Sequence, residues 1–355
     1  MIKWIEWNPI KLDSASGEQF PGTYSLGLTK FTMSLFLPMA ILGFLSADWP
    51  ISYQLLPLYL SLFLFGMPHG GVDHLLIWGM IKDSTWMFRI STLLLYPTLS
   101  ILYLICWQYQ PVASAVFFIV ITVFHWGQGD RYLSVKLHGA GYLERSVLLK
   151  ALHIMARGSL PILLPGYLGN ETYCLFLQEM IRQGGQVEYD LSWVSQNELF
   201  FLLVPLILTV LQIALSTIQL LKGERTAWLV DLFESCFLFL WFLFLPPLWA
   251  LGIYFAFWHS LRHALRIIWV DPAAKQSLIL GAYLKLKVRW LQISGLMTIL
   301  ALVGLWFLLA LPLSFRGIQL DWLGKAMLGI SILTLPHTVV VCLMDFFQFK
   351  RFVSK

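Results

Sequence analysis

The feature that most constrains this chain is the recurrence of apolar runs about 20 residues long, the helix length needed to cross a hydrocarbon core about 30 Å thick. Such segments lie near residues 31–48, 52–68, 89–107, 111–128, 148–168, 198–221, 227–245, 248–268, 288–312 and 322–346. In hydrocarbon every backbone N–H and C=O has to be paired within the protein, so runs of this length fold as helices. Alternating segments of the barrel type are absent. The chain is 58% hydrophobic and 12% charged, against roughly 25% charged in soluble domains. The expected fold is all-α: a polytopic integral membrane helical bundle of about ten transmembrane helices.

Turn signals separate several segments, at Trp49-Pro50, Gln110-Pro111, Pro246-Pro247 and Asp271-Pro272. The fifth segment is the weakest, because it holds His153, Arg157 and Pro161, and a half-buried or re-entrant helix is the alternative there. Residues 1–30 carry Lys3, Trp4, Glu6, Trp7 and Asp13 without a continuous apolar stretch, so no cleavable signal peptide is expected and the first span directs insertion. The four cysteines, Cys106, Cys174, Cys236 and Cys342, sit singly with no metal or disulfide spacing and read as core packing.

A net charge of +5 comes with no nucleic-acid motif, and in a membrane protein a basic excess reports topology. With the N-terminus inside, all of the 24 basic residues except Arg157, Arg182, Arg316 and Lys325 fall in inside segments or the adjoining span ends. The long outside segment 169–197 is acidic, with Glu171, Glu179, Glu188 and Asp190. N- and C-termini are therefore expected to be cytoplasmic.

In that topology the histidines gather at one depth. His69 and His74 lie at the inner end of the second span, His125 at the inner end of the fourth, His259 and His263 at the inner end of the eighth, and His337 in the inner half of the tenth. Ionisable residues inside a membrane are costly and point to function, and several at one depth point to a shared site. His138 and His153 read instead as ordinary hydrogen-bonded side chains.

The strongest local signal is Trp258-His259-Ser260-Leu261-Arg262-His263, since imidazoles at i and i+4 share a helix face and can bind one metal. The alternative is a surface-facing pair near the inner headgroups, with Arg262 as an interfacial anchor. In Gly66-Met67-Pro68-His69-Gly70-Gly71-Val72-Asp73-His74, Pro and Gly let the helix open to present His69; a plain kink is the alternative. If the helix resumes, Asp73 returns to the His69 face and His74 lies about 140° away. Asp73 then suits an acceptor that orients His69, and His74 is set aside as a ligand. Phe124-His125-Trp126-Gly127 and Leu335-Pro336-His337 each pair a histidine with a helix-disturbing Gly or Pro. Neutral imidazoles without clustered carboxylates suit Fe, Zn or Cu and disfavour Ca or Mg.

The stretches Pro68-His69-Gly70-Gly71-Val72-Asp73, Phe124-His125-Trp126-Gly127, Trp258 to His263 and Pro336 to Asp345 resemble the Brp/Blh family of bacterial and archaeal membrane β-carotene 15,15'-dioxygenases. The resemblance covers roughly residues 55–348. It implies a non-haem Fe(2+) enzyme in the cell membrane of a prokaryote that splits the central double bond of β-carotene with O2, giving two molecules of retinal. It implies iron ligation by His69, His125, His259 and His263; His337 falls in the last of the matching motifs, where a supporting rather than a ligating role is expected, beside Asp73. Residues 1–50 then form an N-terminal segment with an added first span, 51–348 the membrane catalytic domain, and 349–355 a cytoplasmic tail. A membrane di-iron desaturase or hydroxylase and a histidine-relay transporter are the other readings of a histidine-rich membrane bundle.

Overall fold

A computed structural model describes residues 22–80, 85–182, 189–220, 223–310, 314–315, 318–319 and 322–353. Residues 1–21 of the N-terminal segment, Glu188 of the acidic outside segment, Arg316 and the last two residues of the tail lie outside the described residues. Among them, nine helices are long and apolar enough to cross a membrane: Gly27–Leu45, Ile51–Gly79, Trp86–Tyr109, Pro111–Lys136, Val147–Leu168, Glu198–Ile218, Arg225–Phe244, Tyr283–Phe307 and Gly324–Phe346. The chain is an all-α polytopic membrane bundle. A small hairpin, Ser314–Phe315 paired antiparallel with Ile318–Gln319, precedes the last helix.

The expected eighth segment is the one that does not meet this apolarity test. It is helical throughout, in three consecutive stretches, Pro247–Ile253, Tyr254–Ser260 and Leu261–Val270. His259, Arg262, His263 and Arg266 are all buried within it, so its polar side chains face protein rather than lipid. The fifth segment, for which a re-entrant helix was the alternative, is helical over Val147–Leu163 and Pro165–Leu168 and long enough to span.

The outward faces carry large apolar side chains such as Leu291, Ile299, Trp306 and Phe307. Lipid is as apolar as they are, so oil burial does not drive the helices together, and close packing and internal polar contacts must do so. The tightest crossing joins Pro111–Lys136 to Val147–Leu163. A Cβ on Gly127 would lie 1.8 Å from the Ile154 carbonyl oxygen, and one on Gly158 would lie 1.8 Å from that of Val123. Gly127 is therefore not a helix disturber. It sits inside an unbroken helix and lets a neighbouring backbone approach, which brings His125 into the bundle interior.

The cysteine expectation holds only in part: all four are free thiols, but Cys106 and Cys236 are exposed on the bundle's outer face.

Candidate metal centre

Backbone irregularity occurs where histidines are presented. The helix that begins at Ile51 widens to π geometry over Leu62–Gly66, returns to α over Met67–Gly70 and turns before Asp73–Met80. A second π segment, Tyr254–Ser260, contains His259. Single π turns recur at functional sites because they shift side chains off the regular helical face. The Pro/Gly signal around His69 marked the first of these; Tyr254–Ser260 contains neither residue, and nothing in its composition marked the second.

Five imidazoles converge. Ligand atoms of His69, His125 and His337 lie within 4.8 Å of one another, all three residues buried. The ring of His259 lies 5.0 Å from that of His125 and 5.6 Å from that of His69. The ring of His263 lies 5.2 Å from His69 and 5.4 Å from His337. His259 and His263 are 5% and 4% exposed and Arg262 is 2%, so the headgroup-facing alternative for this pair does not hold. His74 stands apart, edge-on to Trp78 at 5.1 Å.

The supporting carboxylate differs from expectation in its partner. Asp73 Oδ2 lies 2.7 Å from His337 Nδ1 and also accepts from the Tyr96 hydroxyl. The His69 Nδ1 meets the Phe65 carbonyl oxygen at 3.0 Å instead. Because Gly71 and Val72 form a turn rather than a continued helix, Asp73 does not return to the His69 face and reaches across to the last helix. His337 is thus among the three most closely gathered donors, with its Nδ1 held and its Nε2 turned inward.

Those inward nitrogens lack partners. His125 Nδ1 and Nε2, His263 Nε2 and His337 Nε2 are buried with no hydrogen-bond partner among the described residues. Each such group costs about 1–3 kcal/mol. Unpartnered imidazole nitrogens in a group whose ligand atoms at His69, His125 and His337 lie within 4.8 Å of one another fit a metal ion, whose nitrogen ligands sit at about 2.0–2.1 Å. The set is all nitrogen, with its one nearby carboxylate already engaged, as imidazole-favouring metals require.

A layer of paired charges adjoins the cluster, partly on the same helices and partly on Val147–Leu163 and Arg225–Phe244, and sequence reasoning missed it. Glu234 accepts from Arg157 at 2.6 Å and from Arg262 at 2.6 Å, and His138 lies 3.5 Å away. Asp130 accepts from the Trp258 indole N–H at 3.0 Å, and the Arg262 guanidinium stacks 3.6 Å from the Trp258 ring. Asp345 accepts from Gln128 at 2.9 Å, Arg131 at 3.0 Å and Arg266 at 2.6 Å. His153 lies 3.7 Å from Asp231, but neither of its buried ring nitrogens has a hydrogen-bond partner among the described residues, so the hydrogen-bonded role expected of it is not what the structure shows. Arg157, an exception to the charge asymmetry, is thereby accounted for. Arg131, Arg262 and Arg266, counted as inside residues, are internal as well.

On its other side the cluster meets an apolar chamber, the kind of concave, mostly hydrophobic lining that small-molecule sites use. Trp126 and Phe255 both line it and both contact His259: Phe255 stacks at 5.9 Å with planes 12° apart, and Trp126 lies at 5.4 Å. Phe255 also meets His69 edge-on at 6.4 Å.

This constellation, buried histidines on membrane helices against an apolar chamber, defines a membrane-embedded oxygenase type of site. The comparisons give the family. Residues 60–345 match the family described as beta-carotene 15,15'-dioxygenase. The chain is 33% identical over 300 residues to the probable beta-carotene 15,15'-dioxygenase Blh of Halobacterium salinarum, covering 81% of this chain and 84% of that protein. It is 25% identical over 305 residues to the beta-carotene 15,15'-dioxygenase of an uncultured marine bacterium, 66A03, covering 84% and 94%. No solved structure matches. The chain belongs to the beta-carotene 15,15'-dioxygenase family and is an oxygenase enzyme.

Proposed function

We propose that the chain cleaves β-carotene at its central 15,15' double bond with O2, using one Fe(2+), to give two molecules of retinal. The observation that carries this reading is the convergence of His69, His125, His259, His263 and His337, with unpartnered nitrogens, beside an uncharged chamber. His69, His125, His259 and His263 are the proposed ligands. His337 offers a fifth nitrogen, steadied by Asp73 and Tyr96. Bound Fe(2+) would supply the activation of O2 that an organic side chain cannot.

The protein's own residues do the rest. Neutral imidazoles hold the metal without cancelling its charge, and the Phe65 carbonyl and Asp73 carboxylate fix two of the rings by their Nδ1 atoms. Trp126 and Phe255 offer flat apolar faces against which a polyene can lie beside His259. Holding the double bond there converts an encounter into a positioned reaction. Breaking one C=C and forming two C=O groups consumes one O2 and no external electrons, so no reductant site is required.

Five gathered histidines suit one ion better than two, since a di-iron centre usually needs more nitrogen and oxygen donors than this; this favours cleavage over desaturation. The substrate dissolves only in a lipid bilayer, in agreement with a multi-pass protein of a prokaryotic cell membrane with both termini cytoplasmic. Expression in β-carotene-accumulating cells should bleach the orange pigment and yield retinal, read by extraction and chromatography. Unchanged pigment despite iron-loaded, membrane-inserted protein would overturn the reading.

A further inference from the structure

The chamber has a direction. Along Pro111–Lys136 its lining residues Trp126, Thr122 and Phe118 recede from His125 turn by turn. Along 247–270, Phe255, Leu251 and Leu248 recede from His259 in the same sense. At 1.5 Å per residue these rows extend roughly 10 Å and 16 Å away from the histidines. The helix Asn170–Arg182, too short to span, contributes Phe176 and Leu177 to the wall. Leu177 is backed by Val194 and Phe201, and Phe176 by Leu58 and Leu248, so this wall is braced.

Among the described residues no charged side chain lines the chamber, whose hydroxyl-bearing lining residues are Thr122, Thr172 and Tyr173, and the Thr122 hydroxyl is spent on the Phe118 carbonyl at 2.7 Å. A long, uncharged hydrocarbon arm is the occupant that leaves no polar group unpaired. The chamber starts at the aromatic faces beside His259, so how far an arm enters decides which double bond stops at the histidines.

On the carotenoid-cleaving reading above, we propose that this chamber receives one arm of the polyene and that the Asn170–Arg182 helix is its end stop, setting the bond that is cleaved. A shallower or deeper arm moves the register by one or more double bonds. The chemistry is unchanged: one C=C breaks, each carbon receives one oxygen atom of O2, and the two carbonyl products become unequal.

The test uses the full chain, wild type and the variants Leu177→Trp, which fills the chamber, and Phe176→Ala, which enlarges it. β-Carotene binding is followed in metal-free protein by the shift of carotenoid absorption, and products of iron-loaded protein are separated by chromatography. Leu177→Trp should weaken binding at least about tenfold, the scale on which apolar pockets discriminate size, and should yield apocarotenals longer than retinal. Phe176→Ala should retain cleavage and release unequal product pairs. Iron content should stay at the wild-type value in both. If Leu177→Trp does not fold, Phe176→Ala decides alone. Wild-type affinity together with retinal as the sole product would overturn the end stop. Wild-type protein that binds β-carotene and makes no retinal would instead overturn the cleavage reading.

Discussion

Two buried polar regions lie side by side, share several helices and are built differently. In the charged layer, Arg157 and Arg262 close on Glu234, and Arg131 and Arg266 close on Asp345. In the histidine cluster, one or two helical turns away, His125, His263 and His337 hold buried nitrogens that have no hydrogen-bond partner among the described residues. A region that pairs its own charges holds helices in register, even though the Nε atoms of Arg157 and Arg262 are without a hydrogen-bond partner among the described residues. A cluster of neutral donors without an opposite charge of its own is what a bound metal ion would complete, and on the proposed function that difference separates the scaffold from the site.

The comparison predicts opposite phenotypes. The largest effect is expected from His125→Ala, which should reduce cleavage to the background of metal-free protein while barely lowering the unfolding temperature of that protein, because the lost imidazole made no hydrogen bond. A large drop in metal-free stability would break the distinction. Glu234→Gln should do the reverse. It leaves Arg157 and Arg262 short of their carboxylate and should cost about 3–5 kcal/mol, as when one partner of a buried pair is removed. Thermal unfolding in detergent measures this, and iron per folded chain should stay near the wild-type value.

Asp73→Asn falls between the two regions, since its carboxylate serves His337 and Tyr96 rather than an arginine. It should weaken iron retention by roughly 10- to 100-fold, the usual cost of losing the group that orients a metal-ligating histidine. Competition with a chelator reads this directly. An effect as complete as that of His125→Ala would mean that Asp73 itself enters the metal's coordination.

Much of this architecture is written in local pattern. Apolar run length located the spans, and a shared depth picked out six histidines, of which five converge and His74 stands apart. What escaped depends on contacts between distant segments. Gly127 looks like a breaker in one dimension and is a contact surface in three, because the backbone it admits belongs to a helix some 30 residues later. Asp73 faced His69 only if the helix continued, and the turn at Gly71 and Val72 sent it to His337. The charged layer was invisible because Arg131, Arg262 and Arg266 obey the charge asymmetry of loops while lying inside the protein. The chamber is formed by residues from many helices and has no signature along the chain.

Metal content tests the central claim most directly. Elemental analysis of protein purified from iron-supplied cells should find about one iron per chain, retained in wild type and absent from His125→Ala. Two irons per chain, or none in a folded and membrane-inserted wild type, would contradict a single histidine-held centre.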